Sequence, residues 1–248
     1  SWPTLEKNGL VFVWQDAEGN GPIPEQEPAR QEDCYSGEWT DWQMAAIPIK
    51  SLGRELVDNM ADMAHFGPIH YSKVKSFKNT MEGHKFVQYM VGGHQILTEG
   101  DGGLITSVAT YEGPAYMTTT MTGLMDGHPM TTHLLVSHIP VDMHNFVINF
   151  GVMMKKDPNV SEAGNKAMVE EYTEKNIESF HQDVAIWNNK CIIDNPLMCD
   201  GDGPIHLVRK WYSQFMTNVA DIREDQVRAR EHVTLEGPSV EEVIASMG

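Results

Sequence analysis

Basic residues are in short supply in this chain. Its 248 residues include 18 Lys and Arg against 35 Asp and Glu, a formal net charge of −17 at pH 7. Such a surface has no basic excess to neutralise phosphates, which argues against nucleic acid as a partner. Cysteine is scarcer still, limited to Cys34, Cys191 and Cys199. An odd, low count builds no disulfide scaffold and points to a reducing compartment. The spacing of Cys191 and Cys199 matches no common metal knuckle, and all three are expected as buried thiols. No apolar run approaches the length that crosses a bilayer, so no membrane span is expected. The opening residues, Ser1 to Glu6, lack the basic and apolar regions of a signal peptide. The acidic balance suits a cytoplasmic protein kept dispersed by its own charge. An initiator Met is also missing, which points to a fragment of a longer chain.

What is present is ordinary in bulk. Hydrophobic residues make up 41% and charged residues 21%, and the length allows one large domain or two small ones. Residues 9–14 read as a strand, followed by a Gly19-Asn20-Gly21-Pro22 turn and a Pro- and Glu-rich connector to about Glu32. Residues 53–66 read as a helix with Leu56, Met60 and Met63 on one face, ended by Gly67-Pro68. Residues 85–153 are mostly strand, with runs at 85–91, 104–111, 115–122 and 131–139. Phe146, Ile148, Phe150 and Val152 then alternate with their neighbours at period two. Gly102-Gly103 and Asp126-Gly127 are turn signals between runs. Strands in direct succession predict an antiparallel sheet, hence an α+β fold. A helix of about 28 residues begins near Ser161 as N-cap, a second spans about 205–220, and Ser239 with Glu242 caps a short last one.

The stretch from Asn59 to His70 carries chemistry. His65 and His70 lie five apart, with Asp62 three residues ahead of His65. On a continuous helix Asp62 and His65 share a face, whereas His70 would point roughly 140° away. The Gly67-Pro68 break is expected to swing His70 back toward a shared ion. Asp183, on the long helix between Phe180 and Trp187, is the candidate third ligand, since a carboxylate on the margin of an apolar stripe is costly unless paired or metal-bound. Two histidines and one carboxylate, with open positions, form the donor set of oxygen-activating ferrous enzymes.

The pattern Asn59-x-x-Asp62-x-x-His65-x-x-x-x-His70 resembles the mononuclear iron motif of Rieske non-haem iron oxygenases. Glu38-Trp39-Thr40-Asp41-Trp42, Phe77-Lys78-Asn79, Glu82-Gly83-His84, Gln182-Asp183-Val184 and Ile193-Asp194-Asn195-Pro196-Leu197 extend the resemblance to the oxygenase components of 3-ketosteroid 9α-hydroxylases. So does Arg209-Lys210-Trp211-Tyr212-x-Gln214-Phe215. The likeness implies a helix-grip (START-like) catalytic domain, a curved antiparallel sheet around a long C-terminal helix. It implies a mononuclear Fe(II) on His65, His70 and Asp183, and O2 as co-substrate. Asp62, with Asn59 nearby, would be the catalytic bridge to a Rieske [2Fe–2S] cluster on a neighbouring subunit, and would orient a ligand histidine by a charged hydrogen bond. Gln88, Tyr111, Met117, Thr119, Val136, Phe180 and Trp187 would line a pocket for a steroid-like apolar substrate. Thr119 and Val136 stand where these enzymes tend to have Asn. A reductase fed by NAD(P)H and a homotrimeric assembly are further implications.

One absence qualifies the likeness. A Rieske cluster needs two Cys-x-His or Cys-x-x-His pairs, and no cysteine here has such a partner. The chain therefore cannot bind that cluster. Residues 1–33 are expected to be the end of a Rieske domain plus linker, with the upstream part lost by truncation or proteolysis, and 34–248 the catalytic domain. Three other readings compete: an oxygenase for another ring substrate, a non-catalytic helix-grip lipid carrier, and a zinc hydrolase, which could use the same ligand types.

Overall fold

Apolar residues alternating at period two give this chain its main sheet. The structure, a computed structural model, describes residues 2–94, 97–98, 103–125 and 128–247. The turn signals at Gly102 and Asp126-Gly127 lie outside the described residues. A small hairpin pairs β1 (Thr4–Lys7) with β2 (Leu10–Val13). Asn8 and Gly9 join them with φ of 56° and 73°, the paired positive angles of a type I′ turn. The strand expected at 9–14 is β2. Its partner β1 was not expected, although Asn-Gly is the strongest short hairpin signal. Asn8 is fully buried, donates from Nδ2 to Ala29 O at 2.8 Å and accepts at Oδ1 from Gln31 N at 2.9 Å. Those bonds tie the Pro- and Glu-rich connector down onto the hairpin.

After β3 (Gln43–Ile49), α1 (Gly53–Asn59) and α2 (Phe66–His70), six strands follow as a meander. They are β4 (Val74–Glu82), β5 (Lys85–Gly92), β6 (Ile105–Glu112), β7 (Tyr116–Met125), β8 (His128–Pro140) and β9 (Phe146–Met154). Then come α3 (Glu162–Trp187), α4 (Ile205–Tyr212), α5 (Glu224–Val227), β10 (Arg230–Leu235) and α6 (Val240–Met247). The eight-stranded sheet runs β10-β4-β5-β6-β7-β8-β9-β3, with every pairing antiparallel. One face carries the core. Phe146, Ile148, Phe150 and Val152 are buried there together with residues of α1, α3 and α4. On the opposite face α6 packs Val240 and Val243 around Val91.

The long helix starts as the sequence predicts. Ser161 is the N-cap and accepts from Gly164 N at 3.1 Å. The capping box of α6 is also present, with Ser239 N donating to Glu242 Oε2 at 2.9 Å and Glu242 N to Ser239 Oγ at 3.2 Å. Three expectations need correction. The helix expected at 205–220 ends at Tyr212 and continues as 3₁₀ turns over Ser213–Met216 and Val219–Asp221. Cys191 and Cys199 are exposed in the connection after α3 and Cys34 is partly buried, so none is a core thiol.

The third correction bears on the site. The helix expected at 53–66 stops at Asn59, and Gly67-Pro68 lie inside α2 instead of breaking a helix. Met60 O accepts side-chain amide hydrogens from Asn79 Nδ2 at 3.1 Å and Gln88 Nε2 at 2.9 Å. Strands β4 and β5 thus satisfy a carbonyl that the next helical turn would otherwise have used. Pro68 sits in the first turn of α2, where its missing N–H costs nothing.

Candidate metal centre

The site grows from the turn at Met60–His65 and one turn of α3. His65 is the N-cap residue of α2 and His70 its last residue, so the two histidines bracket a five-residue helix. Their ring centroids lie 5.4 Å apart, with planes at 77°. Tyr71 ends α2 in the left-handed region (φ 50°), and its N–H returns to Phe66 O. Asp183 comes in from α3 and is 6% exposed, and its Oδ2 lies 3.2 Å from His70 Nε2. One ligand atom each from His65, His70 and Asp183 falls within 4.8 Å of the others.

The remaining nitrogens of both rings are engaged. His65 Nδ1 lies 2.5 Å from Asp62 O. A carbonyl can only accept, so Nδ1 carries the proton and Nε2 keeps its lone pair. Asn59 Nδ2 stands 3.5 Å from that Nε2. His70 Nδ1 lies 2.9 Å from Gln182 Oε1. Two imidazoles whose Nδ1 atoms are tied, leaving Nε2 as the ligand atom of each, plus one buried carboxylate, make a donor set that fits a divalent transition metal.

Asp62 does not act as its spacing suggested. It shares no helix face with His65, because the segment is a turn. Its Oδ1 accepts the His65 backbone N–H at 3.2 Å, while Oδ2 stays 3.8 Å from the ring Nδ1. The ring is thus oriented by the main chain of Asp62, and the carboxylate holds the turn. Burial raises the Asp62 pKa against the pull of His65. Burial likewise lowers His65, outweighing the attraction of Asp183 and Asp62, which favours the neutral, ligating form. For His70 burial pulls downward, but the hydrogen bond and charge of Asp183 and the bond to Gln182 prevail and raise it.

A cavity of about 200 Å³ opens beside the triad, with Asn59, Asp62, His65, Asp183, Ile186 and Trp187 on its walls. The residues the sequence offered as a pocket fall mainly elsewhere. Phe86, Tyr111, Met117, Val136 and Phe150 stand opposite one another across five strands, as do Gln88, Ala109, Thr119 and Leu134 across four. These two adjacent rows share the core face of the sheet. Phe180 and Trp187 pack there from α3, with Phe180 5.3 Å from both Phe150 and Trp187 by ring centroids. Trp187 is the member of the set that also lines the cavity. Gln88 donates one amide hydrogen to Met60 O, and the Tyr111 hydroxyl is buried without a partner among the described residues.

Sequence reasoning missed two functional neighbours. Gln182 was visible only as part of a motif, and nothing in its spacing announced a bond to a residue 112 positions away. The other is Arg209, which binds the buried Asp58 beside the cavity at 2.7 and 2.9 Å. A buried carboxylate demands such a partner, but the sequence cannot say which cation supplies it.

Comparison with known proteins shows the family to which the chain belongs. Residues 13–216 match the family described as 3-ketosteroid 9alpha-hydroxylase C-terminal domain. An oxygenase component of 3-ketosteroid-9-alpha-monooxygenase from Rhodococcus rhodochrous is 41% identical over 239 residues, covering 93% of this chain and 61% of that protein. A protein of the same name from Mycobacterium tuberculosis is 37% identical, with 93% and 61% covered. The chain thus spans about three-fifths of the length of these curated relatives. Among solved structures, NdmB of Pseudomonas putida CBB5 superposes with a TM-score of 0.62 at 13% identity, over 93% of this chain and 66% of that one. Dicamba monooxygenase bound to 3,6-dichlorosalicylic acid gives 0.57 at 12% identity, over 89% and 71%. Those two likenesses concern the fold. On the strength of the family match and its relatives, the chain belongs to the 3-ketosteroid 9α-hydroxylase C-terminal domain family.

Proposed function

We propose that this chain is the catalytic part of the oxygenase component of a Rieske-type monooxygenase, hydroxylating a C–H bond of a steroid-like polycyclic substrate. The observation that carries the reading is the convergence of His65, His70 and Asp183, with both Nδ1 atoms already occupied. Those three residues would hold a mononuclear iron(II). The ion would supply activation of O2, one oxygen atom going to the substrate and the other to water, with two electrons delivered from NAD(P)H through a reductase.

The chain's own residues prepare that site. Asp62 O and Gln182 keep the two rings in place. Asp183 brings the one negative charge of the ligand set, and the buried side chains of the sheet would keep water from the side facing α3. Asp62 has a third of its side chain exposed at the cavity wall, which suits a bridge to a Rieske cluster carried by a neighbouring subunit of a homotrimer. Residues 1–33, which include the hairpin, would be the end of the Rieske domain and its linker. Residues 34–248 would be a helix-grip catalytic domain in a cytoplasmic enzyme.

The test is turnover of the full-length protein with its reductase on 3-ketosteroids under isotopically heavy O2. The expected product carries one heavy oxygen. Product labelled from water, or none with any ketosteroid when electron delivery is proven, counts against the reading.

A further inference from the structure

We propose that Gln182 is a positioning residue of the candidate metal centre, fixing His70 as the Nδ1–H tautomer and aiming its Nε2 at Asp183 and the ion. The inference rests on the metal reading above and concerns how one ligand is held.

Two consecutive residues of α3 engage both nitrogens of a single imidazole. Gln182 Oε1 lies 2.9 Å from His70 Nδ1, and Asp183 Oδ2 lies 3.2 Å from Nε2. The ring plane is fixed from a third direction. His94 stacks on His70 with centroids 5.2 Å apart and planes at 28°, and its Nε2 lies 2.9 Å from Ser179 Oγ, one turn earlier on α3. The helix that supplies the carboxylate ligand therefore also sets the position of the histidine opposite it.

The chemistry assigns the amide a direction. A neutral imidazole has one N–H, so an acceptor at Nδ1 leaves the lone pair on Nε2, where a metal needs it. Turned the other way, the amide would donate to Nδ1 and put the ring proton on Nε2, which blocks ligation. The two histidines differ here. His65 relies on a main-chain carbonyl, which no side-chain replacement removes. His70 relies on a side chain, so its orientation is open to mutation. A carboxylate at position 182 would still accept from Nδ1 and would make the ring a stronger donor.

The test uses this chain loaded anaerobically with Co(II), a paramagnetic stand-in for iron(II), and read by proton NMR and metal titration. The wild type is expected to show two exchangeable, hyperfine-shifted imidazole N–H signals, one from each histidine. Gln182→Leu should lose the His70 signal to solvent exchange, keep that of His65, and bind Co(II) about 10–100-fold more weakly. Gln182→Glu, which keeps the acceptor, should restore both signal and affinity. A Gln182→Leu protein with both signals and wild-type affinity, when His70→Ala has lost the metal, overturns the role of Gln182 and leaves the metal reading standing. Equal binding by wild type and His70→Ala overturns the metal reading, and this inference with it.

Discussion

Replacing Arg209 with Met tests how the cavity wall is held. The guanidinium makes four hydrogen bonds: two to Asp58 Oδ2 at 2.7 and 2.9 Å, one to Ile193 O at 2.7 Å and one to Asp194 O at 2.8 Å. Asp58 is 5% exposed, and its other oxygen has no partner among the described residues. Removing Arg209 strands that carboxylate in the interior. Glu55 is less affected, because Lys190 remains 2.6 Å and Arg54 3.3 Å away. One buried charge stripped of its partner costs about 3–5 kcal/mol, and this is the loss expected in urea unfolding at pH 7. Burial already raises the Asp58 pKa even against Arg209. Without the arginine it rises further, so the native state takes up a proton before the unfolded state does. The penalty of Arg209→Met should therefore shrink as the pH is lowered from 7. Adding Asp58→Asn to the variant removes the stranded charge and should recover about 2 kcal/mol. A loss below about 1 kcal/mol at pH 7, or no recovery in the double variant, would show that the buried pair is not what holds this wall.

Three other outcomes follow from named contacts. His138 is 6% exposed, and burial brings its pKa down to about 4. The unfolded chain binds the proton first, so this contribution is complete above pH 6.5 and is lost as the pH falls toward 4. It amounts to roughly 3 kcal/mol, and pH-dependent unfolding of His138→Gln should lack that slope. Gly203 has φ of +68°, and a Cβ there would lie 2.0 Å from Ala61 O, in the turn that carries Asp62. Gly203→Ala should cost roughly 2–4 kcal/mol in thermal or urea unfolding and weaken metal binding; an unchanged midpoint would contradict the contact. In the full-length enzyme Asp62→Asn should keep iron, because Asp62 O still orients His65, yet lose turnover; wild-type turnover would refute the bridging role.

The sequence disclosed some parts of this molecule far better than others. The meander β5–β9 and the long helix α3 were legible because their apolar periods are long and uninterrupted, from Phe146 to Val152 and from Val169 to Trp187. β3 was not, since Pro48 interrupts its pattern and its pairing with β9 depends on a strand a hundred residues away. The end of α1 departs from the local sequence pattern for a tertiary reason. Ala61, Asp62, Met63 and Ala64 suit a helix, but Asn79 and Gln88 take the Met60 carbonyl and Gly203 packs against Ala61. The pair His65 and His70 could be read from local spacing. That Asp183 meets them, and that Gln182 orients one of them, depends on how α3 lies against α2.

Metal analysis of the anaerobically reconstituted chain tests the central claim most directly. The account predicts about one iron per chain in the wild type, lost in both His65→Ala and Asp183→Ala while their folding is retained. Stoichiometric zinc in place of iron, or iron that survives either substitution, would contradict it.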